Sequence, residues 1–132
     1  MQAQALEKLA SRHGIELLLR FGSTAGGVPH AASDVDLAVL LRDREPSLDR
    51  LVALEVDLQP LFAEGRVDLA FLDRADPLFL KKILEHCELL VGKPRRLAEL
   101  RMLAFRRYVD HRRFLAMESD YLKRRLARTR TP

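Results

Sequence analysis

Asp34 and Asp36 stand two residues apart at the head of an apolar run, Asp34-Val35-Asp36-Leu37-Ala38-Val39-Leu40-Leu41. Side chains alternate across a strand, so both carboxylates leave the same face. Carboxylates held that close disfavour each other's ionised form unless a cation answers them. No Lys or Arg occurs from Gly22 to Asp36, which favours a divalent metal over a basic side chain as that cation. Magnesium binds through one or two carboxylates together with substrate phosphates. Asp68, in Val67-Asp68-Leu69, repeats the setting of Asp36 in Val35-Asp36-Leu37. A third carboxylate on a neighbouring strand could complete a two-metal site that clamps the attacking and leaving oxygens of a phosphoryl displacement.

Gly22-Ser23, ten residues ahead of Asp34, offers the other half of such a site. Gly22 lets the backbone approach a ligand closely, and Ser23 would open a short turn or helix whose N–H groups and hydroxyl can hold phosphate oxygens. Thr24 is either a turn residue or a further phosphate contact, and Gly26 and Gly27 can be turn formers alone. Ser23 can equally be a helix N-cap with no ligand.

These residues need elements to hold them. Ala3 to Ser11 reads as a helix closed by His13-Gly14. Ile15 to Phe21 reads as a buried strand, and Asp34 to Leu41 as a second. Ser47 suits the N-cap of a helix running towards Ala63, kinked or ended early by Pro60. Arg66 to Leu72 forms a third strand, Pro77 opens a helix to about Cys87, and Glu88 to Val91 is a short extra strand. From Arg95 to about Arg128, Leu97, Leu100, Ala104, Tyr108, Leu115 and Leu122 recur at helical spacing. One long helix or two are expected there, with a kink or break possible at Asp110-His111-Arg112-Arg113. Alternating helices and strands give an α/β or α+β fold on a small sheet, strand order left open.

At 132 residues the chain fits one domain. Residues 1–92 form the expected core, and residues 93–132 a basic helical extension packing on it. No apolar run suits a membrane span, and Met1 to Ala10 lacks the apolar core of a signal peptide. The single cysteine, Cys87, excludes an internal disulfide, so a reducing cytoplasm is the default compartment. The net charge of +4 hides an asymmetry: residues 93–132 hold 13 Lys/Arg against 4 Asp/Glu, leaving 10 against 15 before them. A basic tail could seek nucleic acid, nucleotide phosphates or an acidic protein surface, or be a solvated helix face. It lacks interleaved aromatics and a base-reading motif, so direct nucleic-acid binding is not expected.

Gly22-Ser23, ten residues and Asp34-Val35-Asp36 match the GSx10DxD signature of the polymerase-beta-like nucleotidyltransferase superfamily. With Arg66-Val67-Asp68-Leu69 and the short length, the chain resembles the minimal nucleotidyltransferases. Many of these are the antitoxin half of HEPN/MNT (MntA-type) toxin–antitoxin pairs. The resemblance covers roughly Ile15 to Gly92. It implies the polymerase-beta-like nucleotidyltransferase fold, a small mixed sheet with flanking helices, here carrying a long basic C-terminal helical segment. By position, it implies that Asp34 and Asp36 ligate two Mg2+ ions and that Asp68 ligates the metal activating the attacking hydroxyl and helps accept its proton. Gly22 and Ser23 would hold the nucleotide's phosphates, with Thr24 beside them. The implied reaction moves AMP from ATP to a tyrosine of a HEPN ribonuclease toxin and releases pyrophosphate. Family loops often carry arginines where this chain reads Thr24-Ala25-Gly26-Gly27; Arg42, Arg44 or an arginine of the tail is the expected substitute. Two other functions compete: a binding antitoxin with a degenerate nucleotide site, and an antibiotic-type small-molecule nucleotidyltransferase, for which the chain after Asp68 is short.

The remaining polar residues suggest less. His13, His30, His86 and His111 lack the spacing of a zinc site on a helix, although His30 lies within the loop and could touch substrate. Cys87 reads as a small core residue, and Glu55 and Asp57 as surface charges. Tyr108 reads as helix packing; Tyr121, like Tyr108, could stack on a nucleotide or be a self-modification site.

Overall fold

The chain, described here from a computed structural model over residues 2–22 and 34–129, alternates helices and strands as its sequence predicts. In order they are α1 (Gln2–His13), β1 (Ile15–Phe21), β2 (Val35–Leu41), α2 (Leu48–Leu58), β3 (Val67–Phe71), α3 (Pro77–Glu85), β4 (Glu88–Val91) and α4 (Pro94–Thr129). Short 3-10 turns at Gln59–Leu61 and Leu72–Arg74 follow α2 and β3. The strands form one mixed sheet in the order β3-β2-β1-β4. β1 runs antiparallel to β2 and to β4, while β2 and β3 are parallel, the parallel pair joined by a crossover through α2.

β1 and β2 are the central strands, which is why their sequences are almost wholly apolar: both of their faces are covered. On one face Leu18, Leu37 and Val39 pack beneath Leu6 and Leu9 of α1 and Leu54 and Leu58 of α2. On the other, Leu17, Leu19, Ala38 and Leu40 pack beneath Leu80 and Ile83 of α3 and Leu97 and Leu100 of α4. The even positions of β2 therefore face α3 and α4. Asp36 shares that face with Ala38, one pleat further towards the start of the strand.

Local chemistry sets the boundaries. α1 ends at Gly14, whose φ of +66° is left-handed backbone that glycine adopts without strain. Ser47 caps α2, its hydroxyl accepting from the Arg50 N–H at 3.3 Å. Pro60 stops α2 short of Ala63 by converting its end to a 3-10 turn. Asp76 caps α3, accepting from the Phe79 N–H at 2.9 Å, and Pro77 fills the first turn.

α4 is one continuous helix of 36 residues. The break considered at Asp110 to Arg113 does not occur. The segment has no Pro or Gly between Arg95 and Thr129, and a weakened apolar stripe removes no backbone hydrogen bond. Leu97, Leu100 and Ala104 are buried in the body, and Tyr108 is half-buried with Lys81 Nζ 4.8 Å from its ring centroid. Further along, Leu115 and Leu122 continue the same stripe but are exposed, as are Phe114, Met117, Tyr121 and Leu126. The helix thus extends past the body by about 30 Å, at 1.5 Å per residue. Among the described residues no helix is long and apolar enough to cross a membrane.

Candidate active site

The pairing of three strands gathers the chemistry at one end of the sheet. Antiparallel register sets Phe21, the last residue of β1, opposite Asp36. Parallel register sets Asp36 opposite Asp68, and Asp34 immediately precedes β2. Facing positions on parallel strands lie about 4.8 Å apart across the ladder, so Asp36 and Asp68 are neighbours on one face. Asp36 is half-buried; Asp34 and Asp68 are exposed. Burial raises the Asp36 carboxyl above the ordinary aspartate range, and the charges of Asp68 and then Asp34 push it further the same way.

Gly22 closes on this group from β1. Its φ is +81°, and a Cβ built there would lie 2.2 Å from Asp36 Oδ2 and 3.1 Å from Cγ. Only glycine leaves room for that carboxylate while taking that backbone conformation. Ser23 and Thr24, expected beside it, lie outside the described residues, as do Gly26, Gly27 and His30.

No protein cation answers the three aspartates: among the described residues none of Asp34, Asp36 and Asp68 forms an ion pair. The expected substitute arginines are elsewhere. Arg42 follows the opposite end of β2, about 20 Å from Asp36 at 3.3 Å per residue. Arg44 is engaged there with Asp73 at 3.2 Å and Glu16 at 3.4 Å. In α4, Arg96 binds Glu16 at 2.5 Å, and Arg101 donates to the Leu84 carbonyl at 3.1 Å. Arg42 and Arg44 therefore do not replace the missing loop cations; strand polarity carries them away.

The donor set suits a hard divalent cation in one respect and limits it in another. Carboxylate oxygens without a basic partner, one of them with raised proton affinity, match the oxygen ligands of magnesium. Among the described residues, however, no group of three His, Cys, Asp or Glu side chains closes around a point as a metal cage. Such a set fits an ion that takes one or two carboxylates and completes its shell with phosphate and water.

A cleft of about 540 Å³ opens beside the aspartates at β3, the edge strand among the described residues. Asp36 and Asp68 line it together with Phe21, Arg74 and Phe79. Phe21 and Phe79 meet edge to face at 6.0 Å between centroids. Sequence reasoning passed over Arg74 and Phe79, because the turn from β3 into α3 brings them there; the Asp76-Pro77 capping pair was the available signal of where that turn ends. A larger hollow of about 950 Å³ lies at the opposite end of the sheet, lined by Glu7, Glu16, Arg42, Arg96 and Glu99. Arg96 pairs with Glu16 and Glu99 there, and the hollow holds none of the three aspartates. Size does not locate the chemistry here.

Other singled-out residues lie apart. His13 and Arg12 bind Asp57 at 2.7 and 3.6 Å, so Asp57 joins α1 to α2 and is more than a solvated charge. Cys87 is half-buried beside the Leu84 carbonyl and Arg101.

A protein-family model for "Polymerase beta, Nucleotidyltransferase" matches residues 4–96. No curated protein matches the sequence. Among solved structures, a toxin–antitoxin crystal structure with AMP-PNP superposes with a TM-score of 0.74 at 22% identity, covering 92% of this chain and 99% of that one. An MNT antitoxin in complex with a tri-AMPylated HEPN toxin of Shewanella oneidensis gives 0.65 at 21% identity, over 92% and 99% of the two chains. A toxin–antitoxin MntA–HepT crystal structure gives 0.64 at 20% identity, over 92% and 97%.

Proposed function

Because the chain belongs to the polymerase beta nucleotidyltransferase family, we propose that it is an antitoxin-type adenylyltransferase, moving AMP from ATP to a tyrosine hydroxyl of a HEPN-family toxin that it also binds. The observation that carries this reading is the register of Asp36 against Asp68 with Gly22 closed over Asp36. The likeness in fold to antitoxins seen with AMP-PNP and with AMPylated toxin supports it.

In this mechanism Gly22, Ser23 and Thr24 receive the triphosphate. Asp34 and Asp36 would hold Mg2+, with Asp68 as a further ligand. Magnesium bound by these residues would neutralise charge developing on the attacking and leaving oxygens. The acceptor oxygen forms a bond to the α-phosphorus as the bond from that phosphorus to the bridging oxygen breaks, and pyrophosphate leaves. Asp68, exposed at the acceptor side, takes the hydroxyl proton. Asp36, already costly to ionise in this setting, favours the arrival of positive charge.

The test is direct. The purified chain, its HEPN-family partner, ATP and magnesium are mixed, and intact masses are recorded. Addition of AMP units to the partner, abolished by Asp34→Ala with Asp36→Ala, is expected. An unmodified partner, or addition that survives the double substitution, overturns the catalytic reading. A second reading, neutralisation by binding alone, draws on the absence of arginines from Thr24 to Gly27. It predicts toxin neutralisation without ATP and without both aspartates.

A further inference from the structure

The sheet order gives the active site two sides. Gly22 flanks Asp36 from β1, and Asp68 flanks it from β3, which is an edge strand. Phosphates held at the Gly22 turn occupy the β1 side. The second substrate is then left the β3 side, where the 540 Å³ cleft opens.

The lining of the cleft is specific, and it draws on β1 and α3 as well as β3. Phe21, the last residue of β1, and Phe79 of α3 form an aromatic wall in edge-to-face contact, with Phe79 still 40% exposed. Arg74, at the end of the turn after β3, lines the same cleft and is exposed. Its neighbour Asp73 is taken by Arg44, and among the described residues Arg74 itself has no ion pair or hydrogen bond. A free guanidinium and an aromatic wall lining one cleft offer an anion contact and a ring site to the same ligand.

We propose that this cleft is the acceptor subsite: Phe21 and Phe79 seat the ring of an aromatic hydroxyl, and Arg74, six residues beyond Asp68, binds a carboxylate of the same partner segment further along the cleft. The inference rests on the transferase reading above and adds where the acceptor sits and what lies beside it. Arg74 is a substrate-binding residue here; the proton and the phosphorus are handled by the aspartates. The cleft opens at a sheet edge, so a protein segment can enter it without passing through the body.

The experiment measures initial rates of AMP addition to the HEPN-family partner while partner and ATP are varied separately, for wild type, Arg74→Ala, Arg74→Lys and Phe79→Ala. Arg74→Ala should raise KM for the partner about tenfold, the usual size of one charge-assisted contact, and leave KM for ATP unchanged. Arg74→Lys should recover part of that loss. Phe79→Ala should also raise KM for the partner alone. Melting temperatures taken alongside separate a folding defect from a binding defect, because Arg74 is exposed and unpaired and its removal should leave stability intact. An unchanged KM for the partner, or a rise in KM for ATP instead, overturns the assignment. If wild type adds no nucleotide at all, the transferase reading itself falls, which is a different result from an active wild type matched by Arg74→Ala.

Discussion

Replacing Gly22 by alanine should damage stability and chemistry together, and the geometry sets both sizes. The added Cβ would sit 2.2 Å from Asp36 Oδ2. An ordinary carbon–oxygen approach is about 3.3 Å, so the carboxylate must retreat by about 1 Å. The φ of +81° adds roughly 1–2 kcal/mol of backbone strain for a residue bearing a Cβ. With the steric overlap, a loss of about 2 kcal/mol is expected, lowering the melting temperature by roughly 5–10 °C for a domain of this size. A reacting group displaced by about 1 Å costs about a hundredfold in rate, so AMP transfer should fall by that factor. The decisive assay is a double-mutant cycle in chemical denaturation with Gly22→Ala, Asp36→Ala and both. Removing the Asp36 carboxylate abolishes the overlap but leaves the φ strain. The pair should therefore be less destabilised than the sum of the single changes. Effects that add within about 0.5 kcal/mol would refute the claim that Gly22 exists to make room for Asp36.

The aspartate's titration gives a second test. The carboxyl of Asp36 lies above its ordinary value of 3.8, first through burial and then through Asp68 and Asp34, so its cost to folding is complete above the folded pKa and gone below 3.8. Asp36→Asn should therefore melt higher than wild type at neutral pH, with the gap closing as pH falls towards 3.8; a gap independent of pH contradicts the assignment. Leu100→Ala, at a site 5% exposed, should cost about 2–5 kcal/mol in denaturant titrations. Removing residues 112–132 should change stability by less than about 1 kcal/mol, since the apolar side chains of that stretch are exposed; a larger loss would mean that the far half of α4 packs on the body.

Much of this architecture is legible before any coordinates. β1 and β4 lie on the residues their apolar runs mark, because Gly14, Gly22 and Gly92 take positive φ at their ends. The caps at Ser47 and the stop at Pro60 follow from side-chain oxygen and ring sterics alone. Pairing is another matter. Nothing in Val35-Asp36-Leu37 and Val67-Asp68-Leu69 states that they lie side by side in parallel register, because that depends on the α2 crossover packing between distant segments. The same is true of Arg74 and Phe79, which reach the cleft through a turn flanked by Leu72 and Leu80, both buried in the core on the α3 and α4 face of the sheet. Arg42 and Arg44 follow Asp36 by only six and eight residues, yet a strand separates residues fastest of all regular elements.

The acid–base asymmetry of the chain acquires a physical sense from where its ion pairs fall. Arg12 meets Asp57, Arg20 meets Glu64, Arg50 meets Asp43, and Arg44 meets both Asp73 and Glu16. Pairs this exposed contribute little to stability one by one. Their placement matters more, because Arg12, Arg44 and Arg50 are engaged away from Asp34, Asp36 and Asp68. The three aspartates are left to repel one another in the folded protein, and burial at Asp36 makes that repulsion costlier. A ligand that brings positive charge relieves it, and relief available only in the folded state is binding free energy. Placing a lysine or arginine of its own among the aspartates would stabilise the empty protein and weaken that coupling. With none of these carboxylates ion-paired among the described residues, the chain holds the three aspartates in a state that an incoming cation would relieve.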